Sequence, residues 1–328
     1  MRYILRDEAT RADSPFLFPF ALAMGCLFAL LGIGSAARAE GRNPDDLWRP
    51  SAALQVAMAV RNFDSDLSST PIMGPPLPGQ PLRVDSNHGP TTVWFPAGGS
   101  ATNVTPVVSG VLELMSPRIT KRAWSPRFFI DASIDSDQGP ERDLAKTGVP
   151  GVLQVNPEAL AFSPFFPENS ISGQGAVTSI DIKPSAYTVG AGVAFSMDVG
   201  ERRVRIKPSV QFSSFRVRYS GVTSRAVDQL ATGLPDNIDD FRLITLGVGK
   251  TEKYNAIGPA LEVELDTARY GPLTLGVYIK GSLQAILGNT SFDMSASNEY
   301  GETGFYDFEI ERYGYRVGTG FRISWVPE

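Results

Sequence analysis

The side chains that most often do chemistry in enzymes are scarce in this sequence. Among 328 residues there is one histidine, His88, and one cysteine, Cys26. A hydrolase or acyltransferase needs a nucleophile beside a His base that an acid orients. His88 lies in residues 85–90, Asp-Ser-Asn-His-Gly-Pro, a composition typical of a turn. We therefore expect a solvated loop histidine rather than a catalytic base, and we assign no catalytic residue.

Patterns for metal binding are equally weak. One histidine and one cysteine cannot form the ligand sets of the common zinc sites. Residues 236–240, Asp-Asn-Ile-Asp-Asp, offer oxygen ligands but lack the spacing and the glycine of a calcium loop. We expect a solvated acidic turn there, and neither a metal ion nor a cofactor.

A stronger pattern in the sequence is the alternation of apolar residues with small or charged residues at the period of a β-strand. In residues 313–325 every odd position is aromatic, aliphatic or Thr, and every even position is Gly, Arg or Ser. Because side chains alternate between the two faces of a strand, one face is apolar and the other is small or cationic. A soluble β-sandwich would bury the apolar face, whereas a transmembrane barrel turns it toward lipid and the polar face toward its lumen.

Eight segments show this alternation between groups of turn residues. They lie at about residues 53–63, 106–115, 127–136, 184–199, 203–221, 254–266, 272–287 and 313–325, the last of which could begin at 306.

Two features leave the strand pattern open. The phase of the fifth segment changes at Ser213-Ser214, after which Phe215, Val217 and Tyr219 take over the apolar positions, and this predicts a β-bulge. A count of ten strands also stays open, if residues 153–162 or 241–249 form separate strands.

The connections between these segments alternate in length. Long ones lie near residues 64–105, 137–183, 222–253 and 288–305, and short ones lie between them. Long extracellular loops at one rim and brief periplasmic turns at the other are typical of a barrel threaded through a membrane. The short turns are rich in basic residues, an asymmetry that the sequence alone does not explain: Arg118, Lys121, Arg122, Arg202, Arg203 and Arg269.

The N-terminal region has the pattern of a secretory signal. Residues 16–34 are apolar, and Ala37-Arg-Ala39 follows as a small-x-small cleavage site. We predict a signal peptide over residues 1–39, an N-terminal periplasmic segment over 40–52 and a barrel over 53–326; a transmembrane anchor is the alternative. Cleavage would remove Cys26, which excludes disulfides and thiolate chemistry from the mature chain. The net charge of −5 argues against nucleic-acid binding.

Residues 53–326 resemble the small eight-stranded outer-membrane barrels of the OmpA/OmpX type. The signal pattern, the alternating connection lengths and the aromatic-rich last strand carry the resemblance. It implies an all-β, antiparallel, up-and-down transmembrane barrel in the Gram-negative outer membrane, with outer-membrane lipid, lipopolysaccharide and the barrel-assembly machinery as partners, and a monomeric state. One departure is that Val-Pro-Glu follows Trp325, whereas family members usually end on an aromatic residue.

An eight-stranded barrel is only wide enough for its own side chains. Because an unpaired charge is costly in such a space, we expect the inward charges to form a salt-bridged network that plugs the lumen. The predicted network comprises Arg61, Glu113, Asp131, Asp135, Asp198, Arg205, Lys207, Glu262, Glu264, Lys280, Arg312, Arg316 and Arg322. The predicted lipid-facing aromatic residues are Tyr187, Phe195, Phe212, Tyr313, Tyr315, Phe321 and Trp325.

These features favour a protein without enzymatic activity, with a structural or surface-interaction role carried by its long loops. A narrow pore or a transporter of small solutes also stays open, since inward glycines such as Gly190 and Gly320 could leave room for a path. Two further alternatives stay open: a barrel enzyme that modifies lipid A, and a secreted soluble β-sandwich.

Overall fold

The computed structural model describes residues 47–70, 98–120, 124–137, 141–148, 154–155, 171–172, 175–228, 241–297 and 303–326. The described chain is all-β. Its thirteen strands are β1 Arg49–Thr70, β2 Gly99–Met115, β3 Arg127–Asp137, β4 Arg142–Gly148, β5 Gln154–Val155, β6 Ile171–Ser172, β7 Gly175–Val199, β8 Arg202–Asp228, β9 Phe241–Tyr270, β10 Leu273–Leu287, β11 Ser291–Ser297, β12 Thr303–Ile310 and β13 Tyr313–Trp325. Over these ranges no helix has the length and apolar character needed to cross a membrane.

Antiparallel pairing joins eight of the described strands into a circuit. The order β1-β2-β3-β7-β8-β9-β10-β13 returns to β1, because β13 pairs with one edge of β1 and β2 with the other. Gln55 illustrates the closure, since it lies opposite Gly320 on β13 and Ser109 on β2. Beyond this circuit, β12 pairs with β11 and with the last part of β1, β4 pairs with β7, and β5 pairs with β6.

Three short connections lie at one end of the circuit, which we call the short-turn rim. They are residues 116–126 between β2 and β3, residues 200–201 between β7 and β8, and residues 271–272 between β9 and β10. Gly200 (φ 62°) and Gly271 (φ 56°) adopt the left-handed conformation that glycine tolerates best, which allows both turns to be tight.

The strands are longer than the alternation predicts. The longest, β8 and β9, have 27 and 30 residues, or roughly 90–100 Å of extended chain at ~3.3 Å per residue. They and their neighbours continue into the segments predicted as long loops, and a hairpin of β11 and β12 occupies part of residues 288–305. Residues 241–249 belong to β9, so the alternative of a separate strand there is wrong. Of the other alternative, residues 153–162, the structure describes β5, which pairs with β6 outside the circuit.

The predicted bulge at Ser213-Ser214 is also wrong. β8 pairs with β9 without a shift in register from Val204 to Asp228, and the irregularity lies instead in β7, between Lys183 and Tyr187. Odd-numbered residues of β8 therefore face inward on both sides of Ser214. What changes at this point is the polarity of the two faces.

Two zones of opposite polarity follow from this change. In the lower zone, nearest the short-turn rim, the outward side chains are apolar and exposed, as Met58 (61% exposed), Val317 (60%) and Phe321 (72%) show. In the upper zone, Arg216 and Arg218 point outward, and apolar side chains fill the interior. The interior cluster of the upper zone is Phe63, Leu67, Leu144, Ala145, Ala176, Ile180, Ile182, Ala186, Phe215, Val217, Tyr219, Tyr254, Ala256, Ile286, Tyr306, Phe308 and Ile310.

Candidate functional site: a charged interior under an aromatic cover

The centre of the lower interior is an ammonium group shared by three carboxylates. Alternation turns Arg205 and Lys207 of β8 inward, and the register sets Glu264 and Glu262 of β9 opposite them. Lys207 Nζ lies 3.0 Å from both carboxylate oxygens of Glu113, 3.0 Å from Glu262 and 2.5 Å from Glu264. These contacts join β2, β8 and β9 across the interior.

Arg322 of β13 binds the same three carboxylates from the other side. Its Nη1 lies 2.6 Å from Glu262, 2.6 Å from Glu264 and 3.1 Å from Glu113, and its Nη2 donates to Glu262 at 3.1 Å. Arg322, Lys207 and the three acids are at most 4% exposed. The guanidinium also lies 4.7 Å from the ring centroid of Tyr278, within the range of a cation–π contact.

Two further ion pairs lie above this centre. Lys280 Nζ is 2.6 Å from Asp131, and Arg316 binds Asp135 through both terminal nitrogens at 2.5 and 3.0 Å. Arg316 also donates to Ser109 at 2.7 Å. With Arg205, which lies 2.6 Å from both Glu264 and Asp266, five cationic and six carboxylate side chains are in contact, so their charges nearly balance. This balance matters because an uncompensated buried charge is strongly destabilising.

Three residues predicted for the network lie elsewhere. Asp198 is 69% exposed and pairs with Arg203 at 2.9 Å, because it is one residue from the end of β7. Arg312 is exposed in the break between β12 and β13, where the alternation is interrupted. Arg61 lies at the start of the upper zone, with its guanidinium carbon 3.9 Å from the ring centroid of Phe215.

The upper interior is an aromatic cover that the sequence pattern missed. Tyr219 is its centre: its ring packs against Phe63 (6.2 Å between centroids), Phe292 (4.8 Å) and Phe308 (5.1 Å). Its hydroxyl is 2.8 Å from the hydroxyl of Tyr254. Much of the cluster comes from segments predicted as loops; the signal that could have identified it is the reversal of polarity after Ser214.

Between the two layers the described residues enclose a small cavity. A cavity of about 10 Å³ lies among Gln55, Ser133, Thr188, Gln211, Lys280, Ser282 and Arg316, roughly the space of one water molecule. The inward glycines do not open a path beside it. A Cβ atom added at Gly190 would overlap Asp131 Oδ1, and one at Gly320 would lie 2.6 Å from the Tyr278 ring. These glycines make room for neighbouring side chains.

The predicted lipid-facing aromatic residues all lie on the outer side. Phe321 and Tyr315 are exposed, whereas Phe195, Phe212 and Trp325 are half-buried. Trp48, Trp124 and Tyr270, which the alternation did not identify, add exposed rings at the short-turn rim (55–67% exposed). Tyr313, Tyr315 and Tyr187 lie toward the upper zone, so aromatic residues flank the outer apolar surface at both ends.

Other candidate sites have no structural support in the described ranges. Those ranges contain no group of three or more His, Cys, Asp or Glu side chains placed to hold a metal ion. His88 and residues 236–240 lie outside them. The described interior therefore offers charge pairing and close packing.

No protein-family model and no curated protein matches the sequence. Among solved structures, the chain is similar to a Pseudomonas aeruginosa FadL homologue, with 8% identity, 85% of this chain and 90% of that chain covered, and a TM-score of 0.22. It is also similar to the deltaS2 mutant of the TodX monoaromatic hydrocarbon channel (7% identity, 84% and 91% covered, TM-score 0.14). A third similarity is to the Salmonella SPI-1 type III secretion injectisome secretin InvG, with 7% identity, 93% of this chain and 71% of that chain covered, and a TM-score of 0.13. Likenesses this low assign neither a family nor a function.

Proposed function

We propose that this protein is an integral outer-membrane β-barrel of eight strands, without enzymatic activity. It has a structural or surface-interaction role, and its specificity lies in the segments beyond the upper zone. The wall is the circuit of β1, β2, β3, β7, β8, β9, β10 and β13. The short-turn rim faces the periplasm and the upper zone projects from the cell surface.

The observation that carries this proposal is the reversed polarity of the lower zone. Glu264, Lys207 and Arg322 are almost fully buried, while Val317 and Phe321 are mostly exposed. In water this arrangement would combine the penalty of desolvating charges with the penalty of exposing a continuous apolar surface. In a bilayer the apolar surface faces acyl chains, and the charges are paired inside a protein wall.

The dimensions of the outer surface also support a membrane location. Tyr315 and Trp325 are ten residues apart on β13, which corresponds to ~33 Å of strand and to ~25 Å along the membrane normal at a tilt of about 40°. That height equals the usual apolar band of outer-membrane barrels. Above it the exterior becomes charged at Arg216 and Arg218, as expected for strands that have left the membrane.

The interior supports a sealed barrel rather than a pore. A permeating solute would have to separate the ion pairs around Lys207 and Arg322 and then pass the packed rings around Tyr219. The cavity between these two layers has room for about one water molecule. We therefore place the function at the surface of the barrel and its loops.

Export, assembly and partners complete the proposal. Residues 1–39 act as a signal peptide, and the barrel-assembly machinery inserts the mature chain. The N-terminal periplasmic segment ends before Arg49, because residues 49–52 of the predicted segment 40–52 belong to β1 and pair with β2. Lipopolysaccharide and outer-membrane lipid surround a monomer, and a surface ligand binds through the loops.

Three measurements test this proposal. The purified protein should require detergent and should migrate differently on gels before and after heating; solubility without detergent would favour the β-sandwich. Reconstituted in planar bilayers it should give no steady single-channel conductance, and a conductance that filling Gly318 or Gly320 abolishes would favour a transport role. Lipid A from cells with and without the protein should have the same mass, and a change dependent on His88 would indicate an enzyme.

A further inference from the structure

A cavity opens into the interior at the short-turn rim, below the charged centre. Its volume is about 660 Å³, within the ~300–1,000 Å³ of typical small-molecule sites. The tight turns at Gly200 and Gly271 bring the ends of β7, β8, β9 and β10 to its wall. We call this cavity the rim pocket; its lining residues include Arg49, Arg202, Arg203, Arg205 and Arg269 together with Asp198, Glu201 and Asp266.

The rim pocket has an excess of positive charge, whereas the charged interior above it does not. Five arginines and three acids line it, whereas cations do not outnumber carboxylates in the contacting groups of the interior. Two of the three acids are already engaged within the wall: Asp198 binds Arg203 at 2.9 Å, and Asp266 binds Arg205 at 2.6 Å. Arg202 and Arg269 are exposed at the mouth, where a ligand from outside can reach them.

A further arginine adds to the positive charge at this end of the molecule. Arg118 lies in the turn after β2, where burial and, second to it, the nearby Arg203 guanidinium lower its pKa. Mutual repulsion of this kind is relieved by an anion. Guanidinium groups bind phosphate through two parallel hydrogen bonds, which makes an arginine-lined pocket better suited to phosphate than to chloride.

We propose that the rim pocket binds a phosphate-bearing anion. The phosphate can come from a membrane lipid or from a soluble compound, and the lipid source rests on the proposed membrane location of the protein. Trp48, Trp124 and Tyr270 lie exposed at the same rim, and aromatic rings of this kind mark the level of the lipid head groups. The phosphate is therefore supplied by an anionic phospholipid of the surrounding leaflet or by a soluble phosphate compound of the periplasm.

The test compares two matched double variants of the full chain in detergent micelles. In Arg202→Gln/Arg269→Gln the pocket loses two guanidinium groups at its mouth. Arg216→Gln/Arg218→Gln makes the same chemical change on the exposed outer face of β8 in the upper zone, far from the rim pocket. Heat-modifiable migration shows that each variant is folded, and the single variant Arg269→Gln serves if the double variant is not.

Binding is measured by calorimetric titration with two probes, inorganic phosphate and short-chain phosphatidylglycerol. The wild type and the Arg216→Gln/Arg218→Gln variant should bind with equal affinity, and the affinity should fall as sodium chloride is raised. The Arg202→Gln/Arg269→Gln variant should bind at least about tenfold more weakly, since each lost bond is a charge-assisted one. If both probes bind, a soluble phosphate compound is sufficient as the ligand. If phosphatidylglycerol alone binds, the ligand is the head group of a phospholipid.

Two results would overturn the inference: neither probe binds the wild type, or both double variants lose affinity equally. These results are distinct from a failure of the proposed function. If the wild type inserts into vesicles but binds neither probe, only the rim pocket assignment is lost. If the protein is soluble without detergent and does not insert, the membrane proposal is lost whatever the titration shows.

Discussion

Removal of Arg322 is the most informative single perturbation of the interior. Its guanidinium contacts Glu113, Glu262 and Glu264 at 2.6–3.1 Å, and it is 1% exposed. In Arg322→Met the side chain keeps a similar length but loses its charge. Lys207 would then be the remaining cation in contact with all three carboxylates, and the buried centre would carry an uncompensated negative charge.

The expected loss of stability follows from that charge. Breaking a buried ion pair by removing one partner costs about 3–5 kcal/mol, and Arg322 serves three carboxylates, which places it toward the upper end of that range. A companion change, Glu262→Gln, removes one of the stranded charges. The double variant Arg322→Met/Glu262→Gln should therefore regain a large part of the loss, with a coupling energy of roughly 1–3 kcal/mol.

Urea unfolding of the protein in lipid vesicles, followed by tryptophan fluorescence, measures these differences. Arg216→Met is the matched control, because Arg216 is exposed on the same barrel and its loss should change stability by less than about 0.5 kcal/mol. Acidification protonates the stranded carboxylates, so the gap between wild type and Arg322→Met should narrow as the pH falls. A loss below about 1 kcal/mol for Arg322→Met would refute the claim that paired charges organise the interior.

Two further predictions address the packing and the projecting strands. Gly320→Ala should destabilise the barrel by about 1–3 kcal/mol, because its new Cβ would lie 2.6 Å from the Tyr278 ring, whereas Gly281→Ala, with nothing within 4 Å, should be tolerated; the heating temperature that abolishes the folded band on gels compares them. In the upper zone, burial first and then the neighbouring Asp293 raise the pKa of Asp307, so its contribution to stability is full below the pKa of the unfolded chain and is lost as the pH rises through the folded value. Asp307→Asn should therefore be more stable than the wild type near pH 7 and equal to it near pH 3 in urea unfolding; a difference that does not depend on pH would contradict this.

The alternation of the sequence was sufficient to predict which face of each lower strand is apolar. Side chains in a strand have a period of two whatever the partner strand, so the exposure of Phe321 and the burial of Arg322 could be predicted without knowing the pairing. The partners could not be predicted. Lys207 meets Glu113 because β2 and β8 face each other across the interior, and that depends on how the sheet closes.

The inward position of the apolar side chains in the upper zone does not follow from the sequence pattern, for a physical reason. An apolar residue indicates burial or lipid contact, and the pattern of β8 does not say which. The pattern therefore predicts a bulge that would keep Phe215, Val217 and Tyr219 on the outer face, whereas the register of β8 continues unchanged and the three residues lie inside. Near Ser214 the apolar face of β8 changes from the outer to the inner side, which in the proposed membrane location is the point where the strand leaves the lipid.

The central claim is that the exposed apolar face of the lower zone is in contact with acyl chains. Nitroxide labels at Val317→Cys and, as the control on the outer face of the upper zone, at Arg216→Cys test it directly in reconstituted vesicles of a Cys26→Ser background. Collisions with oxygen, which concentrates in the bilayer, should dominate at position 317, and collisions with a water-soluble nickel complex should dominate at position 216. Equal and high access of the nickel complex to both labels would contradict the claim.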